Sequence, residues 1–486
     1  MNLDAERCYR ALASRDARFD GRFFTGVLTT GIYCRPICPA PTPKRKNVRF
    51  FACAAAAADA GLRPCLRCRP EASPGTPAWL GTSASVSRAL RLIDEGALDQ
   101  AGIGELANRL GMGERHLRRL FDTHLGASPL AVAQTRRVHF AKKLLDETDL
   151  PMTEVAFGAG FSSVRRFNAA IRSTYGRSPS ELRARARVQG RSSGATLELR
   201  LSFRPPFDWN SLTAFLAVRA IPGVEAVGPE AYRRTIRIDG EAAILEVHHL
   251  EQEGCLRLRV PAAAARSLVT IAERVRCLFD LGADPNQVTA HLGCDPGLRR
   301  RLRRRPGLRV PGAWDGFELA VRAILGQQVS VARATSLSGE LVRHYGEPLS
   351  DPDDGLVALF PTAAVLAEAD IAGLGLMPGA RAESIRALAA AVRDGTLNLD
   401  APLELESAVA QLMALPGIGP WTAGYIAMRA LREPDAFPSG DLGLRRAAAA
   451  AGSLPLPPRE LEERAEAWRP WRAYAAMALW SDPETH

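Results

Sequence analysis

The most chemically specific spacing in this 486-residue chain is Cys34-x3-Cys38 followed, 26 residues later, by Cys65-x2-Cys68. Each short-spaced pair can present two sulfurs from one turn, and two such pairs make a tetrahedral thiolate set of the kind that binds Zn2+. The first ten residues carry Asp4, Glu6 and Arg7 around no apolar core, so they are not a secretory signal. A cytoplasmic location follows as the expectation, and there paired cysteines serve as metal ligands rather than disulfides. Four thiolates around Zn2+ carry a formal charge of minus two, and each remains a potential nucleophile. Arg35, Lys44, Arg45, Lys46, Arg63, Arg67 and Arg69 surround the pairs and could hold phosphates nearby. A thiolate beside a phosphate ester is suited to accept an alkyl group.

A second chemical candidate lies far along the chain. Leu412–Tyr425 reads as the end of a helix, the turn Leu415-Pro-Gly-Ile-Gly419, and a new helix starting near Pro420, which suits a first helical turn. Glycines there let the backbone turn sharply and bring its N–H groups against a phosphate. Asp441 follows, opening an Ala-rich helix, where in isolation it reads as an N-cap. Trp421, Tyr425 and Trp480 read on their own as core aromatics. The run Arg299–Arg305 could track a nucleic-acid backbone or simply be a solvated helix face.

These residues need elements to hold them. Residues 85–187 read as almost wholly helical. Gly104–Met112 followed by Glu114–Phe121 reads as helix, glycine turn, helix, with Leu106, Leu110, Leu117 and Leu120 as the apolar stripe. The second of these helices leaves Arg115, Arg118 and Arg119 outside, as a recognition helix in a major groove would. Thr153–Phe161 and Ser162–Arg172, carrying Arg165 and Arg166, repeat the arrangement beyond a long helix near Pro129–Glu147. The Ala-rich stretch Ala52–Ala60 fits one short helix. Strand-like alternation marks Leu197–Phe203 and Leu256–Val260, with further strands at Thr235–Ile238 and Ala243–Val247 and a helix near Leu212–Arg219; from about residue 262 the pattern is helical. Ala72–Ala78 and Val188–Ala195 read as linkers, and Arg305–Gly312 as a weaker loop.

Composition agrees with a multidomain globular chain. Hydrophobic residues make up 47% and charged residues 24%, which excludes a disordered or fibrous protein, and no apolar run reaches membrane-spanning length. The formal net charge is +10, concentrated early: residues 1–78 hold 13 basic against 6 acidic side chains, residues 85–187 hold 17 against 11, and the remainder 33 against 36. A polyanionic partner, most simply nucleic acid, or merely a high isoelectric point accounts for this.

Three resemblances sharpen the reading. Thr29–Cys38 with Leu62–Cys68 resembles the zinc domain of the Ada methyl-phosphotriester repair proteins, over about residues 3–72. That likeness implies Zn2+ on Cys34, Cys38, Cys65 and Cys68, and irreversible transfer of one methyl group from a DNA phosphate to Cys34. Ile103, Ala107, Phe121, Phe157–Phe161, Phe167 and Gly176-Arg-Ser-Pro179 resemble the AraC-type DNA-binding domain, over about 85–187. Val321–Ser330, Leu412–Tyr425, Phe437–Arg446 and Trp468–Trp480 look like the AlkA-type 3-methyladenine DNA glycosylases of the helix-hairpin-helix superfamily, over about 196–482. By family position Asp441 is the catalytic carboxylate and Trp421, Tyr425, Trp480 and Gln327 line the base pocket. Leu415, Gly417 and Gly419 grip the strand. Relatives with lyase activity carry a lysine where Trp421 stands, and no lysine follows Lys143. The resemblance therefore implies an N-glycosyl hydrolase without lyase activity. The Pro-Cys-His-Arg signature of O6-alkylguanine transfer is absent, and the last cysteine, Cys294, leaves no iron–sulfur quartet in this half. Leu442-Gly443 stands where bulkier residues are expected, which bears on pocket shape.

The expected fold is multidomain and mainly α with a small α+β part. Its segments are 1–75 (zinc–thiolate), 80–187 (tandem helix-turn-helix), 195–290 (β-rich) and 291–486 (helix-hairpin-helix core). The expected partners are double-stranded DNA and RNA polymerase, with no membrane. The alternative is a methylation-responsive transcription factor whose carboxy-terminal half binds DNA without excising bases.

Overall fold

The computed structural model describes residues 3–74, 84–186, 195–238, 240–399, 404–449 and 453–481. The expected linkers lie largely outside the described residues, from 75 to 78 and from 188 to 194. The chain divides into two compact units. The first comprises 1–205, 247–276 and 281–284; the second comprises 206–246, 277–280 and 285–486. Residues 195–290 are thus shared between the units, and residues 1–75 and 80–187 fall within one.

In the first unit, helix Ala5–Ser14 is capped by Asp4, whose carboxylate accepts from the Glu6 and Arg7 amides. Four short strands follow: β1 (Phe24–Val27), β2 (Ile32–Cys34), β3 (Val48–Phe51) and β4 (Arg63–Pro64), in the order β3-β1-β2-β4. β1 runs antiparallel to both β2 and β3, and β4 runs parallel to β2. Helix Ala54–Asp59 covers them; its alanines Ala54–Ala57 are all buried. They share one core with the first helix-turn-helix: Phe24, Tyr33 and Phe51 pack with Leu106, Leu117, Phe121 and Leu125.

The helical part matches the reading closely. Helices Ile103–Arg109 and Glu114–Leu125 form the first helix-turn-helix, and Met152–Gly158 and Val164–Tyr175 the second, joined by Pro129–Glu147. Gly111 and Gly160 make the turns at positive φ, a backbone that glycine adopts without strain. At Gly160 a Cβ would also overlap the Asp99 carboxylate. Strand Thr196–Ser202 pairs antiparallel with Cys255–Pro261, Leu199 opposite Leu258, and alternate residues are buried as the pattern predicts.

The second unit is built around helix Gly316–Leu325, buried along its length except at Arg322. Helix Gly379–Arg393 and the hairpin helices Leu405–Met413 and Pro420–Arg429 belong to the same unit. Two departures from the reading stand out. The expected all-helical stretch contains a hairpin, Glu347–Asp353 with Leu356–Leu359. The expected loop Arg305–Gly312 is packed: Arg309 is buried and donates to the carbonyls of Asp280 and Pro206, both at 3.1 Å. Backbone carbonyls with no other partner take up the guanidinium, so proline and glycine there mark a structured crossing.

Candidate functional site

The thiolate quartet follows from strand pairing. Cys34 ends β2, and the parallel neighbour β4 delivers Cys65 beside it, with the Cys65 amide donating to the Tyr33 carbonyl at 3.0 Å. Tight turns bring round the other two: the Cys38 amide donates to Arg35 O at 3.2 Å, and the Arg69 amide to Cys65 O at 3.1 Å. All four sulfurs lie within 4.8 Å of one another, and all four cysteines are buried. Four soft donors at that separation fit a tetrahedral zinc ion. The Arg35 amide donates to the Cys68 sulfur at 3.3 Å. Cys34, Cys38 and Cys65 line a cavity of about 490 Å³, whose wall does not include Cys68.

Two of the arginines expected to hold phosphates are committed elsewhere. Arg35 is paired with buried Asp20, Nε to Oδ1 at 2.9 Å, and donates to Cys68 O at 3.1 Å. Arg69 is paired with Glu71, Asp146 and Glu147 at 3.3, 2.9 and 3.5 Å. Buried carboxylates outcompete a solvent-exposed phosphate for these groups. Arg45 is paired with Glu6 at 3.1 Å, whereas Lys44, Lys46, Arg63 and Arg67 are exposed.

The recognition-helix arginines stand as expected. Arg115, Arg118, Arg119, Arg165 and Arg166 are all exposed, while Leu117, Phe121, Phe167 and Ile171 bury the opposite faces. Arg118 and Arg119 make local contacts only, to Glu114 at 3.5 Å and His116 at 3.0 Å.

In the second unit, Asp441 is a helix N-cap with further partners. Its Oδ1 accepts from the Leu444 amide at 2.9 Å, capping helix Leu442–Ala448. The same carboxylate accepts from two indoles: Trp421 Nε1 to Oδ2 and Trp480 Nε1 to Oδ1, each at 3.0 Å. Trp421 comes from the hairpin's second helix and Trp480 ends helix Arg472–Trp480. Tyr425 stacks on Trp421, with centroids 5.6 Å apart at 14°, and meets Trp480 edge-on at 6.2 Å. Asp441 and the three aromatics are all partly exposed. A Cβ at Gly443 would stand 3.1 Å from Asp441 Oδ1 and 3.6 Å from Trp480 Cδ1, so glycine leaves this corner open.

The hairpin turn separates the duties of its glycines. Gly417 has φ +74°, and a Cβ on it would overlap the Ser384 hydroxyl. Gly419 N-caps the second helix at φ −92°, with nothing within 4 Å of an added Cβ. Gln327 spends its amide on this turn, donating to Gly417 O at 2.8 Å and to Thr422 Oγ1 at 3.0 Å. It thereby supports the hairpin turn. Arg429 is a neighbour of this aromatic cluster that the sequence reading missed. It donates to the Tyr425 hydroxyl at 2.7 Å and is itself pinned by the carbonyls of Pro311 and Gly312. Burial would raise the Tyr425 phenol, but the Arg429 and Arg219 guanidiniums outweigh it and bring it down to about 8. The i, i+4 spacing of Tyr425 and Arg429 on a helix was the available signal.

Family models match along the chain: the metal-binding domain of Ada at 7–71, a helix-turn-helix domain at 106–185, the AlkA N-terminal domain at 198–315, and the HhH-GPD superfamily of base excision DNA repair proteins at 321–473. A Mycobacterium tuberculosis protein described as a probable bifunctional transcriptional activator/DNA repair enzyme AlkA is 46% identical over all of this chain and 97% of its own length. The chain belongs to the AlkA family of bifunctional activator/repair proteins. The Escherichia coli DNA-3-methyladenine glycosylase 2 is 36% identical over 58% of this chain and 95% of its own. The Salmonella typhimurium regulatory protein ada is 36% identical over 32% of this chain and 42% of its own. A 3-methyladenine DNA glycosylase from Archaeoglobus fulgidus shares the fold over 58% of this chain and 96% of its own, at TM-score 0.51 and 23% identity. Zinc is the metal of this AlkA-family chain, and the buried cysteine quartet is a group that could hold it. Among the described residues no helix is long and apolar enough to cross a membrane.

Proposed function

We propose that this AlkA-family chain repairs alkylated DNA by two chemistries and regulates that repair, with functional segments at 1–75, 80–187, 195–290 and 291–486. The carboxy-terminal segments excise N-alkylated purines such as 3-methyladenine from double-stranded DNA. Such bases are cationic, so they are good leaving groups and bind well against aromatic faces. The base must leave the stack to reach Trp421, Tyr425 and Trp480. Asp441 faces the deoxyribose and stabilises the positive charge that builds on it, or orients the attacking water. Leu415, Gly417 and Gly419 hold the strand through backbone amides. Trp421 occupies the position of the lysine used by lyases, so hydrolysis ends at an abasic site.

The amino-terminal segment takes a methyl group from a DNA phosphotriester onto Cys34. Zinc, when bound, keeps the four thiols ionised and fixed. The new thioether does not turn over, and the site loses one negative charge, which strengthens binding to phosphate and switches the tandem helix-turn-helix towards its operator. Arg115, Arg118, Arg119, Arg165 and Arg166 carry that contact with DNA, and activation brings RNA polymerase to the promoter.

The observation that carries the excision reading is one carboxylate held by two indole N–H groups of an aromatic wall. Release of 3-methyladenine from alkylated DNA is expected from the wild type and should fall by at least about a hundredfold in Asp441→Asn. Borohydride should trap no covalent adduct with abasic DNA. A wild type that binds DNA but releases nothing leaves only the transcription-factor reading.

A further inference from the structure

The cavity beside the thiolates is closed by two parts of the first unit. Its wall includes Cys34, Thr25, Arg63 and Arg67 from the zinc segment, but also Tyr175 and Arg177. Tyr175 ends the second recognition helix, Val164–Tyr175, and Arg177 lies just past its C-cap, Gly176. Two hydroxyls of this wall, Thr25 Oγ1 and Tyr175 OH, are buried without a hydrogen-bond partner, in residues only 0% and 5% exposed. Buried hydroxyls are normally satisfied, so a matched pair of orphans in one cavity points to a polar ligand. Thr25 stands opposite Cys34 in the β1–β2 register. Arg177 is half-buried, and no hydrogen bond or ion pair ties it to any described residue. The wall is held together firmly. Besides the shared apolar core, Tyr33 and His139 are hydrogen-bonded at 2.9 Å, Arg69 pairs with Asp146 at 2.9 Å, and Lys142 with Glu71 at 3.6 Å. Desolvation holds the His139 pKa below the usual value and favours the neutral ring in that bond.

We propose that the methyl-acceptor site is composite: the second helix-turn-helix unit supplies Arg177 and Tyr175 to bind the phosphotriester whose methyl group passes to Cys34. This rests on the reading of Cys34 as acceptor and adds the residues that hold its substrate. In the transfer, the Cys34 sulfur–methyl bond forms and the methyl carbon–oxygen bond breaks. The electron pair of the broken bond stays on the phosphate oxygen, giving the phosphodiester anion, while the thiolate loses its charge and no proton moves. Negative charge therefore travels from sulfur to phosphate. A guanidinium at the phosphate interacts more strongly with the transition state than with the uncharged triester, so Arg177 accelerates transfer as well as binding. The Thr25 and Tyr175 hydroxyls supply donors to the phosphate oxygens. Because Tyr175 is the last residue of the recognition helix and Arg177 sits in the turn that ends it, the repaired phosphate lies at a fixed offset from the base pairs that helix reads.

The test uses the full-length zinc-loaded chain and a dinucleotide methyl phosphotriester, too short to span two recognition helices. Single-turnover methyl uptake is followed at saturating and subsaturating substrate. Arg177→Ala should slow uptake at saturation about tenfold, and Arg177→Gln, which keeps the aliphatic stem, should fall alike. Arg177→Lys should recover most of the rate, and Tyr175→Phe should lose a smaller factor, with zinc content unchanged throughout. If Arg177→Ala and Arg177→Gln stay within about twofold of the wild type, below the effect of a lost charged hydrogen bond, the composite site is wrong while Cys34 stands. If the wild type takes up no methyl group, the acceptor reading fails and this proposal with it.

Discussion

Asp441 accepts three hydrogen bonds, one from a backbone amide and two from indoles, and in the proposed function the same N-cap carboxylate is the reacting group. The cap fixes the carboxylate on a rigid helix start, and the indoles set its plane. Trp421→Phe or Trp480→Phe keeps most of the aromatic face but deletes one N–H. Each should lower the rate of base release about tenfold with little change in half-saturation, a split that steady-state kinetics reads directly. Tyr425 offers a second test. Its phenol ionises near 8 in the folded chain, against about 10 in an unfolded one. Between those values the native state binds fewer protons than the unfolded state, so this group adds stability as pH rises from about 8 to about 10. A phenolate absorbance titration should show one tyrosine ionising near 8, and Tyr425→Phe should remove it. At this scale the sequence revealed identities better than partners. Cysteine spacing reports its own geometry, because two or three intervening residues leave room only for a turn. The commitment of Arg35 to Asp20, and of Arg69 to Asp146, depends on strand and helix packing that no local pattern encodes.

The elements show where local pattern suffices and where it fails. Both helix-turn-helix units were legible because their apolar stripes and turn glycines agree with one another. The hairpin Glu347–Asp353 with Leu356–Leu359 was not: its first strand carries Pro348 and Pro352 and is mostly exposed, so it has neither alternation nor strand-forming residues. Strand Glu225–Val227 is too short to show a period. In the helix-hairpin-helix, the two glycines should respond differently. Gly417→Ala forces a side chain into positive φ and against Ser384. It should destabilise the second unit by about 1–3 kcal/mol, read as a lowered denaturation midpoint. Gly419→Ala meets nothing and strains nothing, so it should leave that midpoint unchanged while weakening binding to abasic DNA if, as proposed, the strand approaches this turn. Equal loss of stability in both variants would contradict the division of labour between them.

Across the whole molecule, basic charge gathers in the thiolate and helix-turn-helix segments and is absent as an excess from the rest. That distribution fits long-range attraction to DNA through the first unit and a more specific, shape-dependent engagement through the second. The order of motifs along the chain suggests the proposed functional segments, but the compact units cut across them, because strands near 196–202 and 255–261 pair over a long sequence separation. Each proposed chemistry rests on groups within one unit: Cys34 with its three neighbouring cysteines, Asp441 with its two indoles. The decisive measurement is therefore made on one preparation of full-length protein given methylated DNA, scoring both methyl uptake by the protein and free 3-methyladenine. Cys34→Ala should lose methyl uptake and keep base release; Asp441→Asn should keep uptake and lose release by at least about a hundredfold. Base release that survives in Asp441→Asn would contradict the account at its centre.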